Sequence, residues 1–286
     1  MTDGPGFATV QRVGGSGTHP GRSWSSRSFR LPSTVSRAQS VTIGLLGSIR
    51  TPVTGRYLNG MLAYAAVHRN VTVLDLRQSA EMPRFEPTDL PAWRDRVHGV
   101  VLCLGYDGPA DEIIGWIGRS GVPAVSVRMD LIDPSLPAVF IDPDSIARLA
   151  VDHLMAMTAA SFLHVGSMRC KGPRLRAEAM VRVLAARGRA AASYEVDTLI
   201  LGGVDDEATL AGDQRLTDLL TTLPRPVGIL CLNDAIARAV VMRCQTLGLA
   251  IGSEALVVGV DDTAIAADAT PSITSIKVSC ETVAAR

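Results

Sequence analysis

The sequence predicts an α/β fold of two doubly wound parallel-sheet lobes with a ligand crevice between them. Three observations lead there. From Val41 onward, short apolar runs alternate with amphipathic helical patterns, the rhythm of a parallel sheet covered on both faces. At 286 residues the chain is long for one compact domain and suited to two. Hydrophobic residues make up 47%, yet no uninterrupted apolar stretch approaches the roughly 20 residues that cross a bilayer, so the apolar content belongs in cores.

The elements follow in order. Residues 41–46 read as the first strand and 57–68 as its helix; strands follow at 71–76, 99–104 and 124–127, with a helix over 111–119 that stops at Gly121. Those four strands and their crossovers make one lobe. A strand at 138–141 leads into a helix over 145–157, a strand at 162–166, a helix over 175–187 and a strand at 193–196, which open a second lobe. That lobe continues through a helix at 213–223, a strand at 227–231, a helix at 235–247 and a strand at 255–260. Residues 274–278 are a further strand candidate.

Residues 1–40 stand apart. They carry five arginines and one aspartate, and Ser, Gly and Pro fill 17 of the 40 positions without helical or strand periodicity, so the segment is expected to stay disordered. No apolar run of the secretory kind follows its basic residues, so it does not read as an export signal. Over the whole chain 28 basic residues balance 28 acidic ones, which leaves no basic field to attract a phosphate backbone. The five cysteines (Cys103, Cys170, Cys231, Cys244 and Cys280) are scattered in apolar surroundings without the spacing of a zinc site or a disulfide framework, which fits a reducing cytoplasm.

The sequence carries no Gly-rich phosphate loop, no nucleophile elbow and no metal-spaced cluster, so the expected function is binding without cofactor, metal or catalysis. The histidines lie far apart, and the carboxylate pairs Asp142/Asp144 and Asp205/Asp206 suit helix caps and turns. Three constellations remain, all where strands end. Asn233 and Asp234 close Val227-Gly-Ile-Leu-Cys-Leu-Asn-Asp, where Asn233 either caps the next helix or presents its amide to a ligand hydroxyl. Asp261 and Asp262 close Leu256-Val-Val-Gly-Val, where a carboxylate can accept two hydroxyl hydrogen bonds. Arg176 sits on the first turn of the helix after strand 162–166, and its planar fork suits bidentate contact with a polyol.

These residues resemble a known family. Leu223-Pro-Arg-Pro-Val-Gly-Ile-Leu-Cys-Leu-Asn-Asp-Ala-Ile-Ala-Arg, Gly248-Leu and Leu256-Val-Val-Gly-Val-Asp-Asp look like the sugar-sensing domain of lactose-repressor-type regulators, a fold of periplasmic-binding-protein type I. Within that group, Gly55-Arg-Tyr-Leu-Asn-Gly-Met-Leu-Ala-Tyr-Ala and residues 93–105 look most like the xylose operon regulators, which pair a sugar-binding module with a C-terminal helix-turn-helix domain. The resemblance covers roughly residues 41–286. It implies a first lobe of residues 41–141 with 271–286, a second of 142–270, and pocket positions at Arg176, Asn233 and Asp261. Arg56, Tyr106 and Arg128 lie at other crevice-facing strand ends. Tyr57 or Tyr106 could offer a stacking platform for a sugar ring.

The resemblance also sets the expected partners: a small sugar such as D-xylose, a second copy of the chain, and DNA only through a helix-turn-helix domain that these 286 residues lack, with no membrane contact. Regulators of this kind continue past the strand matching 274–278 with a helix, a strand and the DNA-binding domain, so this chain reads as a truncated one. A sugar-binding protein of the same fold with no DNA role is the alternative. Ser33-Thr-Val-Ser-Arg-Ala echoes a repressor recognition helix, but Pro32 precedes it and Val41 follows with no room for a hinge, so the echo is read as coincidence.

Overall fold

A computed structural model describes residues 8–11, 40–47, 52–76, 94–103, 110–127, 136–167, 171–196, 210 and 212–285, with the backbone alone at 8–11, 52 and 110–112. The first sheet holds β1 (Ala8–Gln11), β2 (Val41–Gly47), β3 (Val71–Asp75), β4 (Gly99–Cys103), β5 (Ala124–Ser126) and β6 (Ala138–Ile141). Its order is β3-β2-β4-β5-β6-β1, parallel throughout except for β1. The second sheet holds β7 (Ser161–Gly166), β8 (Ala192–Glu195), β9 (Val227–Cys231), β10 (Ala255–Val260) and β11 (Thr274–Ile276), in the all-parallel order β8-β7-β9-β10-β11. The helices are α1 (Pro52–Val67), α2 (Ala110–Ser120), α3 (Pro143–Ala156), α4 (Lys171–Ala185), α5 (Gln214–Thr222), α6 (Asp234–Thr246), α7 (Ala264–Asp268) and α8 (Cys280–Ala284).

Both sheets reverse direction of growth at one point. In the first, β3 lies to one side of β2 and β4 to the other; in the second, β8 and β9 flank β7 in the same way. In open parallel sheets the crevice outside the strand C-termini at such a reversal is where ligands bind. Every residue of β9 and β10 is buried, as helices on both faces of a parallel sheet require. Leu163, Val165, Ile229 and Val257 pack with α5 and α6 on one face, whereas Phe162, Leu230 and Val258 pack with α3 and α4 on the other. That second cluster runs on through Cys280 and Val283 of α8 to Leu45, Tyr57 and Met61, so one apolar body joins the lobes.

Local chemistry fixes the helix ends. Asp142 caps α3 by accepting the Asp144 N–H at 3.0 Å, with Pro143 in the first helical position where its missing donor costs nothing. Asp213 caps α5 through the Leu216 N–H at 2.8 Å. Gly121 follows α2 at φ +70°, the left-handed conformation that ends helices and that glycine adopts without strain.

The structure departs from the sequence reading in four places. Ala8–Gln11, within the segment expected to stay disordered, forms β1 against Ile141–Ala138, because an unpaired strand edge supplies backbone partners that need no side-chain periodicity. β11 pairs with β10, so residues 271–276 extend the second lobe and the chain returns to the first only at 277–279. Helix α1 begins at Pro52, five residues before position 57, since Pro suits the first helical turn and Gly55 is tolerated within it. Helix α4 begins at Lys171, which moves Arg176 from the first turn to the second.

Candidate functional site

The second lobe assembles its strand ends into one connected network. Arg176, half-buried on α4, donates from Nη1 to the carbonyl of Leu232, the residue that follows β9. Next comes Asn233, whose Oδ1 accepts the Ile236 N–H at 2.9 Å and caps α6. Capping uses the oxygen and leaves Nδ2 with two donors engaged by nothing among the described residues, so the cap and the ligand roles expected for Asn233 are compatible.

Asp234 is 1% exposed and does not face the crevice. Its carboxylate accepts from the Thr263 N–H at 2.7 Å, from Thr263 Oγ1 at 2.8 Å and from Ser275 Oγ. Gly259 makes room for it, since a Cβ there would lie 2.3 Å from Asp234 Oδ1. Asp234 therefore ties the start of α6 to the turn after β10 and to β11. That turn is strained: Asp261 has φ +105° and Asp262 φ +53°, conformations that L-residues other than glycine adopt only when their surroundings dictate it. Its three successive amides are all held, Asp261 N–H by Ile276 O at 3.0 Å, Asp262 N–H by Ser275 Oγ at 3.0 Å and Thr263 N–H by Asp234.

His164, on β7, is governed in its charge by burial and, after that, by the Arg176 guanidinium. It is 2% exposed, and neither ring nitrogen has a hydrogen-bond partner among the described residues. Burial first and Arg176 second push its pKa down to about 3, so the imidazole is neutral near pH 7. The ring leans along β7 towards the strand's C-terminal end: a Cβ on Gly166 would sit 2.6 Å from its Cε1.

The other expected positions fare differently. Arg56, 17% exposed, is bound up in a bidentate pair with Glu281, Nε to Oε1 at 2.8 Å and Nη2 to Oε2 at 3.0 Å, and donates to the carbonyls of Asp261 and Val278. Tyr57, a candidate stacking platform, is 3% exposed and donates its hydroxyl to Val127 O at 3.2 Å, so it fastens α1 to the end of β5 instead. Tyr106, Arg128, Cys170, Asp205 and Asp206 lie outside the described residues. The other four cysteines are buried thiols outside any disulfide, and burial holds the Cys244 and Cys280 thiols up at about 12. The parts played by Asp234, Thr263, Ser275 and Glu281 depend on partners 29 to 225 residues away along the chain, which no local spacing reveals.

Comparison with known proteins agrees with this architecture. Residues 151–286 match the family model of the periplasmic binding protein-like domain. The fold of two lobes is that of the type I periplasmic binding proteins. A LacI transcriptional regulator from a Rhodococcus species superposes with a TM-score of 0.67 at 22% identity, over 85% of this chain and 87% of that one. A periplasmic binding protein/LacI transcriptional regulator from Alkaliphilus metalliredigens, complexed with D-xylulofuranose, gives 0.66 at 22%, over 86% and 87%. The lac repressor dimer bound to operator and the anti-inducer ONPF gives 0.65 at 20%, over 87% and 84%. No curated protein matches the sequence. Among the described residues, no helix is long and apolar enough to cross a membrane, and no cluster of His, Cys, Asp or Glu could hold a metal ion.

Proposed function

We propose that this chain is the sugar-sensing module of a cytoplasmic DNA-binding transcriptional regulator, most like a xylose operon regulator, and that a pentose such as D-xylose is its effector. The observation that carries this reading is the strained Asp261–Asp262 turn at the end of β10, with its successive amides all hydrogen-bonded, on the strand next to β9, whose end carries Asn233 and the carbonyl that Arg176 holds. A backbone kept in an unfavourable conformation by so many contacts suits a carboxylate that must be presented in one orientation. Arg176 and Asn233 supply donors and Asp261 supplies acceptors, the complement of a polyol's hydroxyls. Tyr106 and Arg128 are the residues proposed to close on the sugar from the first lobe.

The proposed mechanism is a population shift. A sugar that touches both lobes only when they are closed favours that state by its differential affinity, and a helix-turn-helix domain attached to the sensor would read the change. Calorimetric titration with D-xylose, L-arabinose, D-ribose and D-glucose tests the reading. Saturable binding by one of these pentoses, weakened tenfold or more by Asp261→Asn and by Arg176→Ala, is the expected result, each loss amounting to about 1.4 kcal/mol or above. Absence of heat with every sugar, from protein whose unfolding transition is cooperative, would overturn it.

A further inference from the structure

Arg56 was expected to face the crevice as a ligand contact, yet its guanidinium is spent elsewhere. Two of its four hydrogen bonds go to the Glu281 carboxylate and two to the carbonyls of Asp261 and Val278, at 2.5 and 2.6 Å. Those carbonyls stand where the chain leaves β10 and where, after β11, it crosses back towards the first lobe. We propose that Arg56 is a positioning residue that couples the lobes, fixing the Asp261 turn from α1 instead of touching the sugar. The inference rests on the sugar-sensing reading for what the turn is used for, but not for the coupling itself.

Three features support it. The Arg56 fork is matched to the Glu281 carboxylate by two parallel hydrogen bonds, the geometry that gives arginine its directional hold. The partner is delivered by close backbone contact: one turn along α1, Gly60 lies against α8 so tightly that a Cβ would stand 2.3 Å from Glu281 O and 2.8 Å from its Cα. Arg56 and Gly60 thus form one face of α1 that receives α8. Finally, the carbonyl that Arg56 holds belongs to the strained residue itself, Asp261 at φ +105°. Any rotation of the second lobe relative to α1 must either carry Arg56 along or break its bond to the turn that presents the Asp261 carboxylate. Occupancy at Asp261 and the angle between lobes then become one equilibrium, with Arg56–Glu281 as the link.

Amide hydrogen exchange on the full chain, with Arg56→Gln, Arg56→Lys and Glu281→Gln, tests the proposal without requiring a ligand. Arg56→Gln is expected to speed exchange at Asp261–Thr263 by tenfold or more while amides of β7 and β9 keep their protection. Glu281→Gln should speed it by a smaller factor in the same direction, and Arg56→Lys should restore only part of the protection. Titration with whichever of the four sugars the wild-type chain binds supplies the second arm: Arg56→Gln and Glu281→Gln should both weaken it, by tenfold and by threefold or more. Unchanged exchange at Asp261–Thr263 in folded Arg56→Gln overturns the proposal. So does a loss of sugar affinity in Arg56→Gln that Glu281→Gln does not share, which would make Arg56 a direct contact. If the wild-type chain binds none of the sugars, the functional reading fails, and the exchange arm still decides whether Arg56 holds the turn.

Discussion

The two lobes solve the same packing problem by different means. In the second, β9 and β10 are buried at every residue, and the strand ends are cross-braced from within by Asp234, Thr263 and Ser275. In the first, β4 is buried throughout, whereas β2, β3, β5 and β6 are partly exposed, and α1 shows Leu62, Tyr64 and Val67 to solvent, the last at 75%. The described contacts that organise the first lobe's crevice edge come from far along the chain, through Glu281 and Val278. The contrast teaches that the Asp261 turn is braced from within its own lobe, while its polar ties to the first lobe are a few long-range bonds laid over the apolar cluster that joins the two.

The largest predicted effect comes from removing the internal brace. Asp234→Ala leaves Ser275 Oγ and the Thr263 donors without their buried acceptor, and should cost about 3 kcal/mol in urea unfolding followed by circular dichroism. Replacement with little change in the urea midpoint would show that the second lobe does not depend on this brace. A smaller loss is expected from Gly60→Ala, about 2 kcal/mol, since α8 must move off α1 to admit the methyl group. Because that change strikes the join and spares the brace, hydrogen exchange should report lost protection in α8 and in the Asp261 turn with β7 and β9 intact.

His164 sharpens the comparison through pH. Its native-state pKa of about 3 lies below the ordinary 6.5, so the unfolded chain takes up a proton that the folded chain refuses. The second lobe is therefore fully stabilised in this respect above about pH 6.5 and loses stability as the pH falls towards 3, at up to about 1.4 kcal/mol per pH unit. His164→Phe should flatten that slope and raise stability near pH 7 by about 1 kcal/mol, since it removes two buried nitrogens that have no partner among the described residues. A pH slope that persists in the variant would assign it to other groups.

The smallest effect is predicted for acidification at the join. The Arg56 hydrogen bonds hold the Glu281 carboxyl below its ordinary 4.5, so the pair contributes fully above that value and is lost as the pH falls through the depressed one. Glu281 is 45% exposed, so its share of global stability is well under about 1 kcal/mol. Thermal melts of wild type and Glu281→Gln should separate slightly above pH 4.5 and draw together as the pH falls below it.

Much of the second lobe is legible in the sequence for a physical reason. Val227–Cys231 and Ala255–Val260 are unbroken apolar runs bounded by turn residues, so pattern alone locates both ends of each strand. Asn233 and Asp261 follow those runs directly, so the same pattern places them at strand ends as candidates. Local rules do not reach Arg56, which pairs with Glu281 across 225 positions and with Asp261 across 205. Reading it as a crevice contact follows from its place after a strand; its real partners are set by where the chain crosses between lobes. β1 escapes for a related reason, because edge pairing to β6 uses backbone groups that every residue carries.

Small-angle X-ray scattering of the chain, alone and saturated with the sugar that calorimetry identifies, tests the central claim most directly. The expected result is a contraction in radius of gyration on saturation that Asp261→Asn abolishes at the same sugar concentration and that Arg56→Gln makes incomplete. Saturable binding with an unchanged scattering curve would contradict it, because the sugar would then occupy a site that does not draw the lobes together.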